Sequence, residues 1–308
     1  MKLWWRIILP IALIAGVVVV IVFFSSAVDK EPEEVIVVKG TEYRSPFMPD
    51  SVFFAGEKLP IGRFDVEESL DRELLSNAYF HSQTMRYIKL APRYFSIIEP
   101  ILKEKGVPDD FKYLAVAESG FNTRAVSPAG AVGFWQFLKG TAQDYGLVIN
   151  SEVDERYHVE KATYAACDYF LNNYQKYGSW TMVAATFNAG PTGMARQILR
   201  QKNESYFDLL LNDETARYVF RIVALKLIME NPELYNFYIS NDEKYPVIPT
   251  RDVEITGAVD DFADFAKEQG INYKLLKDFN PWLRETYLKN PGAKKYIIKI
   301  PVLEQVES

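Results

Sequence analysis

A helical repeat of apolar residues runs from Val66 to Tyr235 and is the feature that most limits the fold. Within it, apolar side chains recur three and four positions apart, and glycines follow several of the periodic segments, as they do at helix C-termini. Segments with the alternating pattern of strands are scarce in this region. The pattern therefore predicts a mostly α-helical domain of about 170 residues.

The sequence pattern changes after Pro246. "RDVEI" alternates as a strand does, "DDFADFAKEQG" and "NYKLLKDFN" have short amphipathic helical patterns, and "KKYIIKI" is again strand-like. Strand, helix, helix and strand in this order predict a small α+β module over residues 246–303.

The first 28 residues contain an apolar run that is long enough to cross a bilayer. No charged residue interrupts the chain from Ile7 to Phe24, and Lys2 and Arg6 precede this run. The positive-inside rule then leaves the N-terminus in the cytoplasm and everything after Val28 outside it. Small residues after the run leave cleavage as a signal segment open, but the length of the run favours a retained membrane anchor.

These patterns divide the chain into four segments. Residues 1–28 form the anchor or signal segment, and the charged, Pro- and Gly-punctuated residues 29–65 form a tether followed by an extended lead-in. Residues 66–240 form the helical domain, and residues 246–303 form the C-terminal module.

Composition excludes several classes of function. A formal net charge of −6 argues against nucleic acid as the main partner, because phosphate binding needs clustered Lys and Arg. The single cysteine, Cys167, excludes an intramolecular disulfide framework, and two histidines leave little for a His/Cys metal site. We therefore expect no metal and no cofactor, and proton transfer would depend on carboxylates or tyrosines.

Glu118 is a lone carboxylate in an apolar segment, "YLAVAESGF". It follows Leu114 by four positions and Ala115 by three, so it shares their helical face close to the helix end. Desolvation and the negative end of the helix dipole should both raise its pKa, and a protonated carboxylic acid is what glycosidic bond cleavage requires. The alternative is that Glu118 caps the following turn or pairs with Arg124.

Four motifs in order carry a resemblance to a known family between Asp71 and Asn236. "ESG" at Glu118 and "SPAGAVGFWQF" resemble the "ES…S..GA.G..Q" signature of lytic transglycosylases of the soluble-transglycosylase and goose-type-lysozyme superfamily. "SPAGAVGFWQF", together with the following "TAQDYGL" and "VDERYHVEKAT", is similar to the membrane-bound lytic murein transglycosylase D type of this family. "AATFNAGP" and "ETARYVFRIVALK" resemble two further elements of the family.

The resemblance implies a lysozyme-like helical catalytic domain that acts on peptidoglycan in a bacterial cell envelope. Glu118 would be the catalytic acid and base at the β-1,4 bond between N-acetylmuramic acid and N-acetylglucosamine. The muramoyl 6-hydroxyl would attack its own anomeric carbon, which gives a 1,6-anhydro sugar without water. This chemistry needs no second carboxylate, because the substrate supplies the nucleophile.

The resemblance also implies a set of substrate-binding residues. Ser127 and Gln136 would hydrogen-bond substrate or position the acid, and Asn188 would contact sugar or backbone near the cleaved bond. Tyr218 would place its hydroxyl against Glu118 or the acetamido group. The set is completed by Ser119 and Trp135, although Trp135, like Phe134 and Phe137, has two interpretations: a wall that packs on sugar faces, or core beneath the loop.

One position departs from the family pattern. The family usually has Tyr before "NAG", whereas this chain has Phe187, which lacks the hydroxyl. If that hydroxyl orients the glutamate or the substrate, activity would be reduced or its specificity changed.

The C-terminal module resembles a degenerate LysM peptidoglycan-binding repeat. "FAKEQGINYKLLKDFNP" is similar to its helix-turn-helix part, but "ITGAVDD" lacks the usual Gly-Asp-Thr start and "WLRETYLKNPGAK" is a longer connection. Such a module would either touch glycan or only buttress the catalytic domain.

Three functions remain open at this point. The first is a transglycosylase whose partners are peptidoglycan glycan strands and, through residues 7–24, the cytoplasmic membrane. The second is a muramidase-type hydrolase, in which a carboxylate such as Asp144 or Asp154 would help to activate water. The third is a non-catalytic peptidoglycan-binding scaffold, which Phe187 and the C-terminal module would suit.

Overall fold

A computed structural model describes residues 44–302 of the chain. The predicted anchor at residues 7–24 lies outside these residues, and none of the helices within them is both long and apolar enough to span a bilayer. The described part of the chain contains ten α-helices and four short strands, so the mostly helical fold predicted from the apolar periodicity is confirmed.

The helices follow one another with short connections. In chain order they are Phe64–Tyr79 (α1), His81–Lys105 (α2), Phe111–Ser119 (α3), Lys139–Asp144 (α4), Val159–Tyr177 (α5), Trp180–Ala189 (α6), Pro191–Gln201 (α7), Asp213–Glu230 (α8), Phe262–Glu268 (α9) and Tyr273–Phe279 (α10). The strands are Phe53–Phe54 (β1), Glu57–Lys58 (β2), Thr250–Ile255 (β3) and Tyr296–Pro301 (β4).

The end of the lead-in packs into the helical body. Strands β1 and β2 pair as an antiparallel hairpin, and Phe54 and Leu59 are fully buried in the main apolar core. The carboxylate of Glu57 accepts hydrogen bonds from the backbone N–H groups of Trp180 and Thr181 and thereby caps the N-terminus of α6. Residues predicted as a lead-in therefore supply core side chains and a helix cap.

Helix α8 runs through the middle of the helical body. It packs on α1, α3 and α6, and its buried face includes Val219, Ile222 and Val223. The side chain of Asn212 accepts a hydrogen bond from Thr215 N–H and so fixes where the helix begins. This placement brings one side of α8 against the last turn of α3, where the predicted acid lies.

The C-terminal module has the predicted order of strand, two helices and strand. Strand β3 pairs antiparallel with β4 from Thr250 opposite Pro301 to Ile255 opposite Tyr296. Helices α9 and α10 bury Phe262 and Leu276 beneath this pair. The module belongs to the same compact unit as the helical body.

A second apolar cluster joins the module to the helical body. It contains the module's Leu283 and Trp282 together with Val132, Val153 and Tyr157 from the body. The module therefore buttresses the helical body through a shared core.

Candidate active site

Glu118 lies in the last turn of α3, and the helix ends at a position that only glycine fills easily. Gly120 adopts the left-handed conformation (φ 55°) and its N–H bonds to the carbonyl of Val116. A Cβ at Gly120 would lie 2.6 Å from the ring of Tyr87. The helix stop therefore fixes Glu118 at the negative end of the α3 dipole, as the sequence predicts.

Tyr218 from α8 contacts Glu118 directly. The buried phenol donates a hydrogen bond to Glu118 Oε1, which is one of the two contacts that the family resemblance implies for this residue. Burial raises the pKa of Glu118 to about 7, against the lowering effect of the Tyr218 hydrogen bond. At neutral pH a large fraction of Glu118 therefore carries a proton.

Two charged residues of α8 that the sequence analysis did not assign also act on Glu118. Glu214 raises the pKa of Glu118, and Arg221 lowers it. They lie four residues before and three after Tyr218, so the helical period puts all three on one face of α8. That spacing within "ETARYVFR" is the signal that could have identified them.

A buried acid on α1 holds this arginine in place. Arg221 Nη1 lies 2.9 Å from Glu214 Oε1, and its Nε lies 3.6 Å from Glu73 Oε2. Glu73 is 1% exposed and also pairs with Arg217 at 2.6 Å. The charges around Glu118 thus form a network in which each carboxylate has an arginine partner.

Glu118 opens onto a cleft of about 570 Å³ between α2 and the end of α3. Arg86 Nη1 lies 3.4 Å from the carbonyl oxygen of Gly120 at its edge. Among the described residues that line it, Glu118 is the one carboxylate. The lining consists of Phe80, Ser82, Gln83, Arg86, Tyr87, Ala117, Glu118, Ser119, Gly120 and Asn122.

Asn188 bonds to α8, the helix of Tyr218, and Ser119 follows Glu118 in α3. Asn188, in the last turn of α6, accepts a 2.7 Å hydrogen bond at Oδ1 from Thr215 Oγ1, three residues before Tyr218. Ser119 lines the cleft, and its hydroxyl donates to the carbonyl of Ala115 at 3.2 Å. The structure therefore brings both residues to the elements that carry the acid and its tyrosine.

Ser127 and Gln136 lie in the loop from Ser127 to Phe137, and both make hydrogen bonds within this stretch of chain. Ser127 Oγ accepts from Ala131 N–H at 3.0 Å. Gln136 Nε2 donates to the carbonyl of Gly133 at 2.8 Å, and its backbone has a positive φ of 49°. In this structure the two side chains define the shape of the loop.

Trp135 is a core residue. Its ring is fully buried, and its Nε1 donates a 2.9 Å hydrogen bond to Thr163 Oγ1 on α5. Phe134 and Phe137 are buried as well. Of the two interpretations of these rings, the structure favours core beneath the loop, and it corrects the expectation that Trp135 packs on a sugar face.

Phe187 lies in an aromatic cluster next to Asn188. Its ring centroid is 5.2 Å from that of Tyr169, 5.3 Å from Phe170 and 5.7 Å from Phe137. The ring therefore packs α6 against α5 and against the loop, which is a packing role that does not require a hydroxyl.

The other candidate partners of Glu118 lie elsewhere. Arg124 pairs with Asp278 of the C-terminal module at 3.0 Å, so the expected alternative of an Arg124–Glu118 pair is not formed. The Asp154 carboxylate is buried against Arg156 at 2.7 Å, and Asp144 lines a separate open cavity. Within residues 44–302, no group of three or more His, Cys, Asp or Glu side chains is placed to hold a metal ion.

A more enclosed cavity of about 440 Å³ lies where the helical body meets the C-terminal module. Tyr94, His158 and Trp282 are among its lining residues, and none of the predicted site residues is. Glu118 lines the open cleft and not this cavity.

Comparison with known proteins gives two domain matches. Residues 95–210 match the family model described as the transglycosylase SLT domain. Residues 251–304 match the model described as the soluble lytic transglycosylase C-terminal LysM-like domain. The first match contains Glu118 and the loop from Ser127 to Phe137, and the second covers the C-terminal module.

Curated relatives agree with these matches. The chain is 26% identical over 253 residues to the membrane-bound lytic murein transglycosylase D of Escherichia coli strain K12. This alignment covers 80% of this chain and 54% of that protein. The protein of the same name from strain O6:H1 gives the same values. The chain thus spans about half the length of the curated relatives that it matches.

Two solved structures are also similar. The 70 kDa soluble lytic transglycosylase of Escherichia coli gives a TM-score of 0.39 at 20% identity over 50% of this chain and 27% of that chain. An inactive mutant of the lytic transglycosylase Slt from Pseudomonas aeruginosa gives 0.38 at 16% identity, over 56% of this chain and 33% of that chain. On the domain matches, the chain carries a transglycosylase SLT domain followed by a soluble lytic transglycosylase C-terminal LysM-like domain.

Proposed function

We propose that this protein is a peptidoglycan lytic transglycosylase, which cleaves the β-1,4 bond between N-acetylmuramic acid and N-acetylglucosamine and leaves a 1,6-anhydro end. One observation carries the proposal. Glu118, in the SLT domain, has a pKa raised to about 7, contacts Tyr218 and faces an open cleft. The curated relatives, named as lytic murein transglycosylases, support the same reaction.

The first step needs the protonated form of Glu118. Its proton passes to the glycosidic oxygen while the bond from that oxygen to the anomeric carbon breaks, and the electron pair stays on the oxygen. The N-acetylglucosamine part leaves with a hydroxyl group. The pKa near 7 makes the acid available for this step at neutral pH.

The second step uses the carboxylate that the first step leaves. Glu118 accepts the proton of the muramoyl 6-hydroxyl, whose oxygen forms a bond to the anomeric carbon and closes the 1,6-anhydro ring. No water is consumed, and Glu118 returns to its protonated form. The bound sugar supplies the nucleophile within one molecule, which gives the attack its high effective concentration.

The charges around Glu118 suit both steps. The Tyr218 hydroxyl donates to the carboxylate, so it stabilises the ionised form that exists between the steps. Arg221 also favours that form, whereas burial and Glu214 favour the protonated one. We propose that this balance keeps both protonation states within reach during the reaction.

The lining of the cleft favours a transglycosylase over a hydrolase. Among its described residues no second carboxylate accompanies Glu118, and Asp154, a candidate to activate water, is engaged by Arg156. A hydrolase would need a group that directs water onto the anomeric carbon. The intramolecular route avoids that requirement.

We also propose where the reaction takes place. The relatives are named as membrane-bound, and the apolar run at residues 7–24 would hold this chain in the cytoplasmic membrane of a bacterium. The catalytic domain, at residues 66–240, would then lie in the periplasm against the glycan strands. Residues 29–65 would connect the two, and residues 246–303 would form the C-terminal module.

Product analysis on isolated peptidoglycan sacculi tests the reaction. The wild-type protein should release muropeptides with 1,6-anhydro ends, and Glu118→Gln should release none, as judged by mass spectrometry. Glu230→Gln is the matched control. Glu230 of α8 accepts a 3.3 Å hydrogen bond from Tyr113 of α3, so this pair also joins a glutamate and a tyrosine of these two helices, but it lies outside the cleft. This variant should keep wild-type activity.

The other two functions give different results in the same experiment. Products with normal reducing ends would indicate a hydrolase. Sacculi that bind the protein but stay intact, with wild type and Glu118→Gln alike, would indicate a non-catalytic scaffold.

A further inference from the structure

The segment from Glu152 to Tyr157, here called the bridging segment, contacts both the loop from Ser127 to Phe137 and the C-terminal module. It precedes α5 and includes a short 3₁₀ turn, Glu155–Tyr157. It touches the loop from Ser127 to Phe137 on one side and the LysM-like module on the other. Its contacts on the two sides are of different kinds.

Arg156 holds the loop by its backbone. Its Nη1 donates to the carbonyl of Phe137 at 3.2 Å and to that of Gly130 at 3.3 Å, so one guanidinium group connects the tip of the loop to its end. The fit is close on the backbone side as well. A Cβ at Gly133, whose φ is +79°, would lie 2.0 Å from the carbonyl oxygen of Arg156.

Asp154 fixes the direction of that guanidinium. Its Oδ1 accepts from Arg156 Nε at 3.0 Å, and its Oδ2 accepts from Nη2 at 2.7 Å. Both residues are more than nine-tenths buried. A buried, forked pair of this kind holds one geometry, which a lysine could not reproduce.

The module holds the bridging segment by main-chain hydrogen bonds. Asp154 N–H donates to the carbonyl of Trp282 at 2.9 Å, and the carbonyl of Glu152 accepts from Arg284 N–H at 2.8 Å. The Arg284 guanidinium also lies 4.0 Å from the centre of the Tyr157 ring. The module therefore holds Asp154, which in turn orients the guanidinium of Arg156.

The loop in turn packs two aromatic rings against residues that are close in sequence to Glu118 and to Asn188. Its Phe134 ring lies 5.9 Å from that of Phe121, which follows α3 three residues after Glu118. Its Phe137 ring lies 5.7 Å from that of Phe187, the neighbour of Asn188. A displacement of the loop would thus reach the segment that follows Glu118 and the end of α6 that carries Asn188.

We propose that Arg156 is a positioning residue, which holds the loop from Ser127 to Phe137 in its glycan-binding shape, and that the LysM-like module acts on the active site through the bridging segment. This inference rests on the proposed function, since it takes the loop to bind glycan. The loop has hydrogen bonds of its own, such as those between Val132 and Phe137, but Gln136 has a positive φ and the Gly130 carbonyl accepts a hydrogen bond from Arg156, so contacts from outside help to hold the loop in one shape. Without Arg156, the Gly130 carbonyl loses this donor and the Phe137 carbonyl keeps only its bond from Val132 N–H. The competent fraction of the loop then falls, which weakens the apparent affinity by the same factor.

Glycan binding on the inactive Glu118→Gln background tests the inference without any turnover. The probe is a soluble tetrasaccharide of alternating N-acetylglucosamine and N-acetylmuramic acid, titrated by calorimetry into the full-length protein. Adding Arg156→Met should raise the Kd about 5-fold or more, and Arg156→Lys should raise it about 3-fold, because lysine keeps the charge but loses the forked geometry. Arg156→Lys also keeps the test open if the methionine variant does not fold.

Lys226→Met is the matched control. Lys226 is another largely buried cation, which donates to the Asp110 carboxylate at 2.7 Å and to the carbonyl of Phe53 at 3.0 Å, away from the loop. It should lower the thermal stability but leave the Kd within about 2-fold of the background. If folded Arg156→Lys also binds within 2-fold, or if Lys226→Met weakens binding as much, the inference is overturned. Absence of turnover in the wild type, with the Kd pattern intact, would reject the proposed function alone.

Discussion

The proton affinity of Glu118 is set by side chains from three helices. Glu118 comes from α3, Tyr218 and Arg221 come from α8, and Glu73 of α1 holds the arginine. The sequence alone places Glu118 at the end of a helix, because a lone carboxylate before a helix-ending glycine is a local feature, and the family resemblance marks it as the candidate acid. It does not reveal the arginine network, because that depends on which faces of the helices meet.

The raised pKa of Glu118 makes stability depend on pH. The folded pKa of about 7 exceeds the ordinary value of 4.5, so the folded protein binds more protons than the unfolded chain between these pH values. The free energy of unfolding therefore falls as pH rises through that window. We expect Glu118→Gln, which cannot ionise, to remove this loss.

Thermal unfolding at two pH values checks this expectation. At pH 8 the Glu118→Gln protein should be more stable than wild type by on the order of 2 kcal/mol. This difference is smaller than the whole pKa shift from 4.5 to about 7 would give at about 1.4 kcal/mol per pKa unit, because Glu118 is partly exposed to solvent. At pH 4 the two should unfold together. Equal stabilities at pH 8 would mean that the ionisation of Glu118 lowers the free energy of unfolding very little.

Tyr218→Phe should change the pH profile of the reaction as well as its rate. Loss of the phenol removes a hydrogen bond that lowers the pKa of Glu118, so the alkaline limb of kcat/KM should move to higher pH, by about one pH unit. The rate at pH 6 should fall about tenfold, because the carboxylate formed in the first step loses a donor. Release of soluble muropeptides from pH 5 to 9 measures both effects, and a limb that stays in place would contradict the role given to the phenol.

At the scale of elements, patterns within one helix were predictable and contacts between elements were not. The helices that end at Gly106, Gly120 and Gly178 do so as the sequence indicates, because each glycine takes a left-handed conformation. The capping of α6 by Glu57 could not be foreseen, since it joins residues far apart in the chain. The same holds for Trp135, whose burial depends on Thr163 of α5.

Helix α6 contains a buried hydroxyl whose removal should raise the free energy of unfolding. Among the described residues, Thr186 Oγ1 has no hydrogen-bond partner, although the residue is fully buried. Thr186→Val keeps the shape and removes the unpaired polar atom, so it should raise the free energy of unfolding by about 1 kcal/mol.

Thr163→Val is the contrasting variant. The Thr163 hydroxyl accepts a hydrogen bond from Trp135 and donates one to the carbonyl of Val159, so its loss should lower the free energy of unfolding by about 1–3 kcal/mol. Denaturant unfolding compares the two, and equal effects would argue against this account.

At the scale of the whole molecule, the helical body and the C-terminal module share a core. The sequence predicts the two as separate segments, because each has its own periodic pattern. It could not reveal that Val132 and Val153 of one are buried against Leu283 of the other. The two parts should therefore unfold together.

Calorimetry of Leu283→Ala checks this cooperativity. Leu283 is fully buried, so its truncation should lower the free energy of unfolding by about 2–5 kcal/mol and move a single transition to lower temperature. Leu199→Ala, at an 81% exposed position of α7, should change stability by less than about 0.5 kcal/mol. A Leu283→Ala trace that splits into two transitions would show that the shared cluster does not couple the two parts.

The cap that Glu57 places on α6 ties the lead-in to the helical body at one end of a helix. If the proposed anchor held the chain at its N-terminus, tension would reach the helical body through the lead-in, in which the buried Val52 directly precedes the β1–β2 hairpin. There it meets the hydrogen bonds from Trp180 and Thr181 to Glu57, at the opposite end of α6 from Asn188. The length of α6 therefore separates this attachment of the lead-in from Asn188.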